Sequence, residues 1–362
     1  MFPDLDYLDW IQGRPEVAMY DLGTSDLRGE HDQETRVVPP ALDGLADPPA
    51  GATLEMQLAG AYGVEPDQVL VTPGASTANF IAFAAAHEAD PENAHALVEK
   101  PGYEPLVKTP AGVGFGVDRF RRADDASLDT GRIEKAMTPD TALVTITNRH
   151  NPSGRLTDRE TLAEAAAIAR EGDARLLVDE VYAPFTRDAG DGAFGGVTAA
   201  DLDGTVVTGS LTKFWGLGDL RIGWVVADAD FVDRARKVSH HVPGVAGPSR
   251  ALAMRALHNL DHLTGRSRDL LDANSDLLAE FVATRDDVEG FVAPDSTFAF
   301  LNPVHADGDE VTAKAWERGL LVVPGRFFGE SDRIRVSLGL APNQMASALR
   351  ELGDVLDSLD ES

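Results

Sequence analysis

The residues best suited to chemistry sit in one run, Thr208-Gly209-Ser210-Leu211-Thr212-Lys213-Phe214-Trp215-Gly216, with Arg221-Ile222-Gly223 just beyond. The 362-residue chain holds six lysines against 26 arginines, and it keeps one of the six directly after a predicted buried strand. An arginine stays charged at any working pH, whereas a lysine can lose its proton and act as a nucleophile. A side-chain primary amine that condenses with a carbonyl is chemistry that only lysine supplies. Ser210 and Arg221, on either side of Lys213, have the character of phosphate ligands. An amine between phosphate ligands points to a carbonyl cofactor with a phosphate tail, and pyridoxal phosphate has both.

Other groups fit the same cofactor. Gly74-Ala75-Ser76-Thr77 stands between a predicted strand and a predicted helix at 78–88. Free N–H groups at a helix start make an anion site; a hydroxyl there can equally be a simple N-cap. Asp179 ends the apolar run Leu176-Leu177-Val178. A buried carboxylate needs a partner, either a structural one or a pyridine nitrogen that it keeps protonated. Asn151, in the turn Asn148-Arg149-His150-Asn151-Pro152-Ser153-Gly154, and Tyr182 can each donate to a phenolate oxygen. Tyr103 can stack on a ring or serve as core. Arg335, in Arg333-Ile334-Arg335, can grip a carboxylate through two parallel bonds or form a surface ion pair. His240-His241 has no nearby ligand partners, so the sequence predicts no metal site.

The elements that must position these groups are short apolar runs alternating with helical patterns. Strands are predicted at 69–71, 95–98, 143–147, 175–178, 205–208 and 222–227, with helices at 78–88, 128–137 and 158–170. That alternation reads as an α/β fold, a mainly parallel sheet with helices on both faces. Beyond about 243–248 the pattern changes to a long helical stretch over 249–284, strands at 298–304, 320–323 and 333–338, and a helix at 308–318. This predicts a smaller α+β domain. The expected division is an N-terminal arm over 1–48 that packs on the small domain, a large cofactor-binding domain over 49–245, and a small C-terminal domain over 246–362. Five predicted strands are followed at once by polar groups, at 72–76, 100–103, 148–154, 179–182 and 210–213. In a parallel sheet all five meet at one edge, where open α/β sheets bind ligands.

Composition excludes several classes. The formal net charge is -28, with 60 acidic against 32 basic residues. Such a surface opposes nucleic acid and anionic membranes, and no basic helix-turn-helix precedes the site. The charge and the scarce lysine also predict a cytoplasm of high salt, where screening over roughly 3 Å at 1 M makes self-repulsion tolerable. There is no cysteine, which removes disulfides, thiolate metal sites and cysteine nucleophiles. The first ten residues carry acids where a signal peptide needs bases, and no apolar run spans a membrane. A soluble, cytoplasmic protein is the expectation.

Three motifs, Asn-x-x-Asn-Pro-Ser-Gly at 148–154, Asp-Glu-Val-Tyr at 179–182 and Ser-Leu-Thr-Lys at 210–213 with Arg221 beyond, resemble those of the class I/II aminotransferases, fold-type-I pyridoxal phosphate enzymes. The resemblance runs from Asp21-Leu22-Gly23 to Arg335. It implies that Lys213 carries the cofactor covalently and shuttles a proton, that Asp179 pairs with the ring nitrogen, and that Asn151 and Tyr182 bond the ring oxygen. It further implies that Tyr103 stacks on the ring, that Gly74, Ala75, Ser76, Ser210 and Arg221 hold the phosphate, and that Arg335 binds the substrate carboxylate beside Gly23 and Asn151. Amino acids and 2-keto acids are the implied substrates, and a homodimer the implied assembly. Ala46 departs from the pattern, since the family commonly has a tyrosine there that reaches the partner's phosphate. Phe298 and Phe327 point to a neutral substrate side chain. A carbon–sulfur lyase, decarboxylase, cyclase or oxidase would share the ring-binding groups.

Overall fold

Strands form where apolar and β-branched residues run together, and the sheet sorts them by alternation. The computed structural model describes residues 2–27, 29, 37–92, 94–186 and 193–360. In chain order its strands are β1 Tyr20–Asp21, β2 Val69–Thr72, β3 His95–Lys100, β4 Gly116–Arg121, β5 Thr141–Thr147, β6 Arg175–Asp179, β7 Thr205–Ser210 and β8 Gly223–Ala227. Then follow β9 Val288–Glu289, β10 Phe298–Pro303, β11 Leu320–Leu321, β12 Val323–Pro324 and β13 Ile334–Ser337.

A seven-stranded sheet runs in the order β2-β8-β7-β6-β5-β3-β4. Every neighbouring pair from β7 to β4 is parallel, whereas β8 is antiparallel to both β7 and β2. Successive side chains point to opposite faces. Leu177, Val206 and Val225 therefore join one apolar cluster with Ile81 and Phe231, under the helices Ala75–Ala89 and Ala229–Ser239. Leu176, Val178 and Val207 join the other, with Leu162 and Ala165 of the helix Arg159–Glu171. This is the α/β architecture expected, with helices on both faces.

β4 was not foreseen in the sequence pattern. Its charges, Asp118, Arg119 and Arg121, fall on both faces of the strand, and charge protects an edge strand from pairing with other chains. The helix predicted at 78–88 starts three residues earlier, at Ala75, with Gly74 as its N-cap and no side-chain cap. Ser76 and Thr77 are thus inside the first turn, and the capping alternative for them falls away. Thr77 Oγ1 donates instead to the Pro73 carbonyl at 3.1 Å.

The C-terminal part forms an antiparallel sheet ordered β12-β13-β10-β9, with the helix Gly308–Glu317 packed on it and the helix Pro342–Asp360 packed on that helix. The strand expected at 320–323 is two strands with different partners, because β11 pairs with β1 and β12 with β13. The long helix expected over 249–284 is also two, Gly247–His258 and Leu260–Ala283. Asn259 breaks it: its amide donates to Arg255 O at 2.7 Å and to Ala46 O at 2.9 Å, offering the backbone an alternative to continued helix. Among the described residues no helix is long and apolar enough to cross a membrane.

Candidate active site

The carboxyl ends of β2, β3, β5, β6 and β7 lie along one edge of the large sheet, because these five strands run the same way. The antiparallel β8 begins at that edge. Its first residue, Gly223, pairs with Thr72 on one side and Ser210 on the other. Register alone thus gathers the Gly74 turn, Ser210 and Arg221.

Glycine is required twice here. Gly74 has φ +86°, and a Cβ on it would stand 3.0 Å from Arg221 Nη2. A Cβ on Gly223 would come within 2.4 Å of the Gly74 carbonyl carbon. The guanidinium therefore packs directly over the turn that opens the helix Ala75–Ala89. Uncapped N–H groups at a helix start, a guanidinium and a buried hydroxyl on Ser210 make a fitting cradle for a phosphate dianion. Ser76 and Arg221 are exposed and Ala75 is half-buried, so the cradle opens outward.

Asp179 ends β6 and is only 4% exposed. Its Oδ2 accepts from Asn79 Nδ2 at 2.9 Å and its Oδ1 from the Val181 N–H at 3.2 Å. Burial pushes the carboxyl up to about 6, against the pull of these two donors and of the Lys213 ammonium. Lys213 and Asp179 therefore share one electrostatic neighbourhood. Lys213 is half-buried, and its carbonyl accepts from the Leu27 N–H at 2.9 Å.

Tyr182, three residues past Asp179, is buried, and its hydroxyl lies 2.8 Å from Ser25 Oγ. Burial pushes its phenol up to about 12, offset in part by Arg335 and the Ser25 bond. Its ring meets Phe298 edge-on at 4.9 Å. Tyr103 is half-buried at the start of the helix Glu104–Val113, and Tyr7 packs on it edge-on at 5.7 Å. Tyr103 lies close enough to Tyr182, Arg335 and Asp179 to feel their charges.

Arg335, on β13, crosses from the C-terminal sheet into this edge. Nη1 donates to Asn151 Oδ1 at 2.9 Å, and Nη2 donates to Gly23 O at 2.8 Å and to Tyr7 Oη at 3.4 Å. Phe298 and Phe328 flank the guanidinium at 5.3 and 5.1 Å. The group is 2% exposed, and its Nε has no hydrogen-bond partner among the described residues. A carboxylate is the anion whose shape fits a fixed fork with a donor left over. Asn151 is held in turn by its loop, where Asn148 and Thr157 exchange two bonds at 3.0 and 3.1 Å.

Of the residues offered for the site, Gly74, Ser210 and Arg221 meet at one corner of this edge, Asp179 lies near Lys213, and the distant Arg335 bonds Asn151 and Gly23. Three more were missed. Tyr7 and Ser25 belong to the arm, whose composition carries no periodic signal. Asn79 did carry one: it is a polar residue at a buried position of the helix ASTANFIAFAAAHEA.

A model of the aminotransferase class I and II family matches residues 41–352. The chain belongs to this family. Aminotransferases of this family depend on pyridoxal phosphate, and the phosphate cradle, the buried Asp179 and the Lys213 amine fit that cofactor. Relatives include a capreomycidine synthase of Streptomyces vinaceus, 26% identical over 365 residues, covering 96% of this chain and 92% of its own. An aspartate aminotransferase of Streptomyces avermitilis is 24% identical over 364 residues, covering 88% of this chain and 85% of its own. In fold, the aminotransferase superposes on a PLP-dependent aminotransferase of Streptococcus suis with a TM-score of 0.84, at 22% identity, covering 100% of this chain and 99% of the other.

Proposed function

We propose that this aminotransferase moves an amino group between an amino acid and a 2-keto acid, with Lys213 as its catalytic amine. The observation that carries the reading is that Asp179 ends β6 and Lys213 follows the end of the parallel neighbour β7, between the phosphate cradle and Arg335. Gly74, Ala75, Ser76, Ser210 and Arg221 would hold the cofactor's phosphate, and Tyr103 its ring face. Asp179 would accept from the ring nitrogen, Asn151 and Tyr182 would donate to the ring oxygen, and Lys213 would hold the aldehyde carbon. When bound, the cofactor supplies an electron sink for the pair left behind as the substrate Cα loses its proton.

Arg335, with Asn151 and Gly23 beside it, fixes the substrate α-carboxylate and so the direction of the Cα–H bond. Lys213 Nζ, as a free amine, would take the proton from Cα and give it up at a different carbon, since return to Cα would only restore the amino acid; held in place, it makes the transfer effectively unimolecular. The division into an arm (1–48), a cofactor-binding part (49–245) and a C-terminal part (246–362) serves this reading, since Arg335 and Gly23 must close over the edge that carries Lys213. A panel of amino donors, each incubated with 2-oxoglutarate and enzyme, tests it by keto-acid release. No keto acid from any donor, with the cofactor bound, would sink it.

A second reading has one observation in its favour. The Streptomyces vinaceus relative, which covers 96% of this chain, is named a synthase. Another pyridoxal phosphate reaction on an amino acid is therefore the alternative. Substrate consumption that needs no keto-acid acceptor would select it.

A homodimer, a cytoplasmic location and a high-salt habitat complete the proposal. The family resemblance supports the first, and the net charge of -28 supports the third. Sedimentation in dilute buffer and in molar KCl tests both: a dimer that needs no salt for stability would remove the habitat.

A further inference from the structure

The buried polar residue Asn79 has no place in the roles above, although it touches two strand ends. It lies on the inner face of the helix Ala75–Ala89 and is 6% exposed. A polar group at such a position destabilises unless both of its ends are bonded. Both are. Asn79 Nδ2 donates to Asp179 Oδ2 at 2.9 Å, and Thr208 Oγ1 donates to Asn79 Oδ1 at 2.6 Å.

The direction of this chain is fixed by its ends. An ionised Asp179 can only accept, so the amide must turn its NH2 toward the carboxylate. That leaves Oδ1 facing Thr208, whose hydroxyl is free to donate. Thr208 and Asp179 are themselves register partners on β7 and β6. The three side chains therefore form a relay through Asn79 that spans two strands and a helix. That helix also opens the phosphate cradle one turn earlier, at Gly74 and Ala75. A rise of about 6 Å along the helix separates the two.

We propose that Asn79, locked by Thr208, is a positioning residue that orients and keeps ionised the Asp179 carboxylate for the cofactor's ring nitrogen, so that one helix sets both ends of the cofactor. The assignment rests on the pyridoxal phosphate reading of Asp179. Burial opposes ionisation of Asp179, and the Asn79 bond is the foremost influence favouring it. Leucine at 79 would keep the branched shape, though not the polarity, and leave both Asp179 Oδ2 and the Thr208 hydroxyl without the Asn79 amide.

The test compares wild type, Asn79→Leu and Thr208→Val by titrating apoenzyme with pyridoxal phosphate and following the bound cofactor's absorbance against pH. Asn79→Leu should bind the cofactor about tenfold to a hundredfold more weakly, the range for loss of a charge-assisted bond. Its absorbance titration should shift, and kcat should fall while KM for the amino donor holds. Thr208→Val should shift the titration in the same direction by less. Unchanged affinity and titration in Asn79→Leu would overturn the proposal. If that variant does not fold, an unchanged titration in Thr208→Val overturns it. A wild type that binds no cofactor would instead remove the reading of Asp179 itself.

Discussion

Ser25 Oγ and Tyr182 Oη lie 2.8 Å apart, which ties the N-terminal arm to the end of β6. The same arm gives Gly23 O to Arg335 and the Leu27 N–H to the Lys213 carbonyl. Three contacts within five residues mean that the arm is part of the site wall. The Ser25 bond also aims the Tyr182 hydroxyl. Tyr182→Phe should move the cofactor's visible titration to higher pH, since a donor to the anionic ring oxygen is lost. Its kcat/KM should fall by about tenfold, the worth of roughly 1.4 kcal/mol. Ser25→Ala should move both in the same direction and by less. A titration that does not move in Tyr182→Phe would place the hydroxyl away from the ring.

Lys213→Ala should still bind the cofactor without a covalent link and lose turnover by at least about a thousandfold, because the covalent link and the proton-moving amine are lost together. Borohydride reduction followed by peptide mass mapping checks the link directly. Wild-type enzyme should carry the cofactor's mass on the peptide containing Lys213. A label on any of the other five lysines, or none, would contradict the assignment.

Arg335→Lys keeps the charge and loses the fork. The lysine cannot satisfy Asn151 Oδ1 and Gly23 O together and still hold both oxygens of a carboxylate. KM for amino donors should rise by about a hundredfold, and kcat should change less. Steady-state kinetics on one good donor settles it; an unchanged KM would leave Arg335 a structural strut.

The strands that carry the site were legible because buried parallel strands read as short apolar runs followed at once by odd polar groups. Lys213, Asp179 and Arg221 could be found that way. What stayed hidden has physical reasons. β4 is an edge strand whose charges mask its alternation. Ser25 and Tyr7 act through a segment held by tertiary contacts, so no period marks them. The break at Asn259 depends on a bond to Ala46, more than two hundred residues away in sequence. Asn79 alone could have been caught, as a buried polar residue in a helix of alanine, phenylalanine and isoleucine.

Gly74→Ala should weaken cofactor binding and leave the fold in place. The new Cβ would meet the Arg221 guanidinium at 3.0 Å, on a backbone at φ +86° that side chains seldom adopt. The guanidinium can swing out, at the expense of the phosphate it should hold. Strain of about 1–3 kcal/mol at the turn should lower Tm by a few degrees. Affinity for pyridoxal phosphate should drop about tenfold. Gly223→Ala should be worse for stability, since its Cβ meets backbone that cannot swing. The reverse order of Tm losses would argue against this packing.

Glu180 gives the protein a pH-dependent stability with a definite sign. It follows Asp179, is buried, and accepts from Thr198 Oγ1 at 2.8 Å and the Ala199 N–H at 2.7 Å. Burial outweighs these donors and pushes its carboxyl up to about 8 from 4.5. Between those two values the folded protein keeps a proton that the unfolded chain has released. Folding therefore takes up a proton in this window, and stability must fall as pH rises through it, by no more than about 1.4 kcal/mol per pH unit for one group. Asp179 acts in the same direction but finishes near pH 6. Glu180→Gln removes the later part alone, because a neutral amide keeps the volume and one acceptor. The Tm of Glu180→Gln minus that of wild type should thus grow from pH 5 to about 8 and then stay level. Two Tm profiles that run parallel across that range would show that Glu180 is already ionised in the folded enzyme at neutral pH.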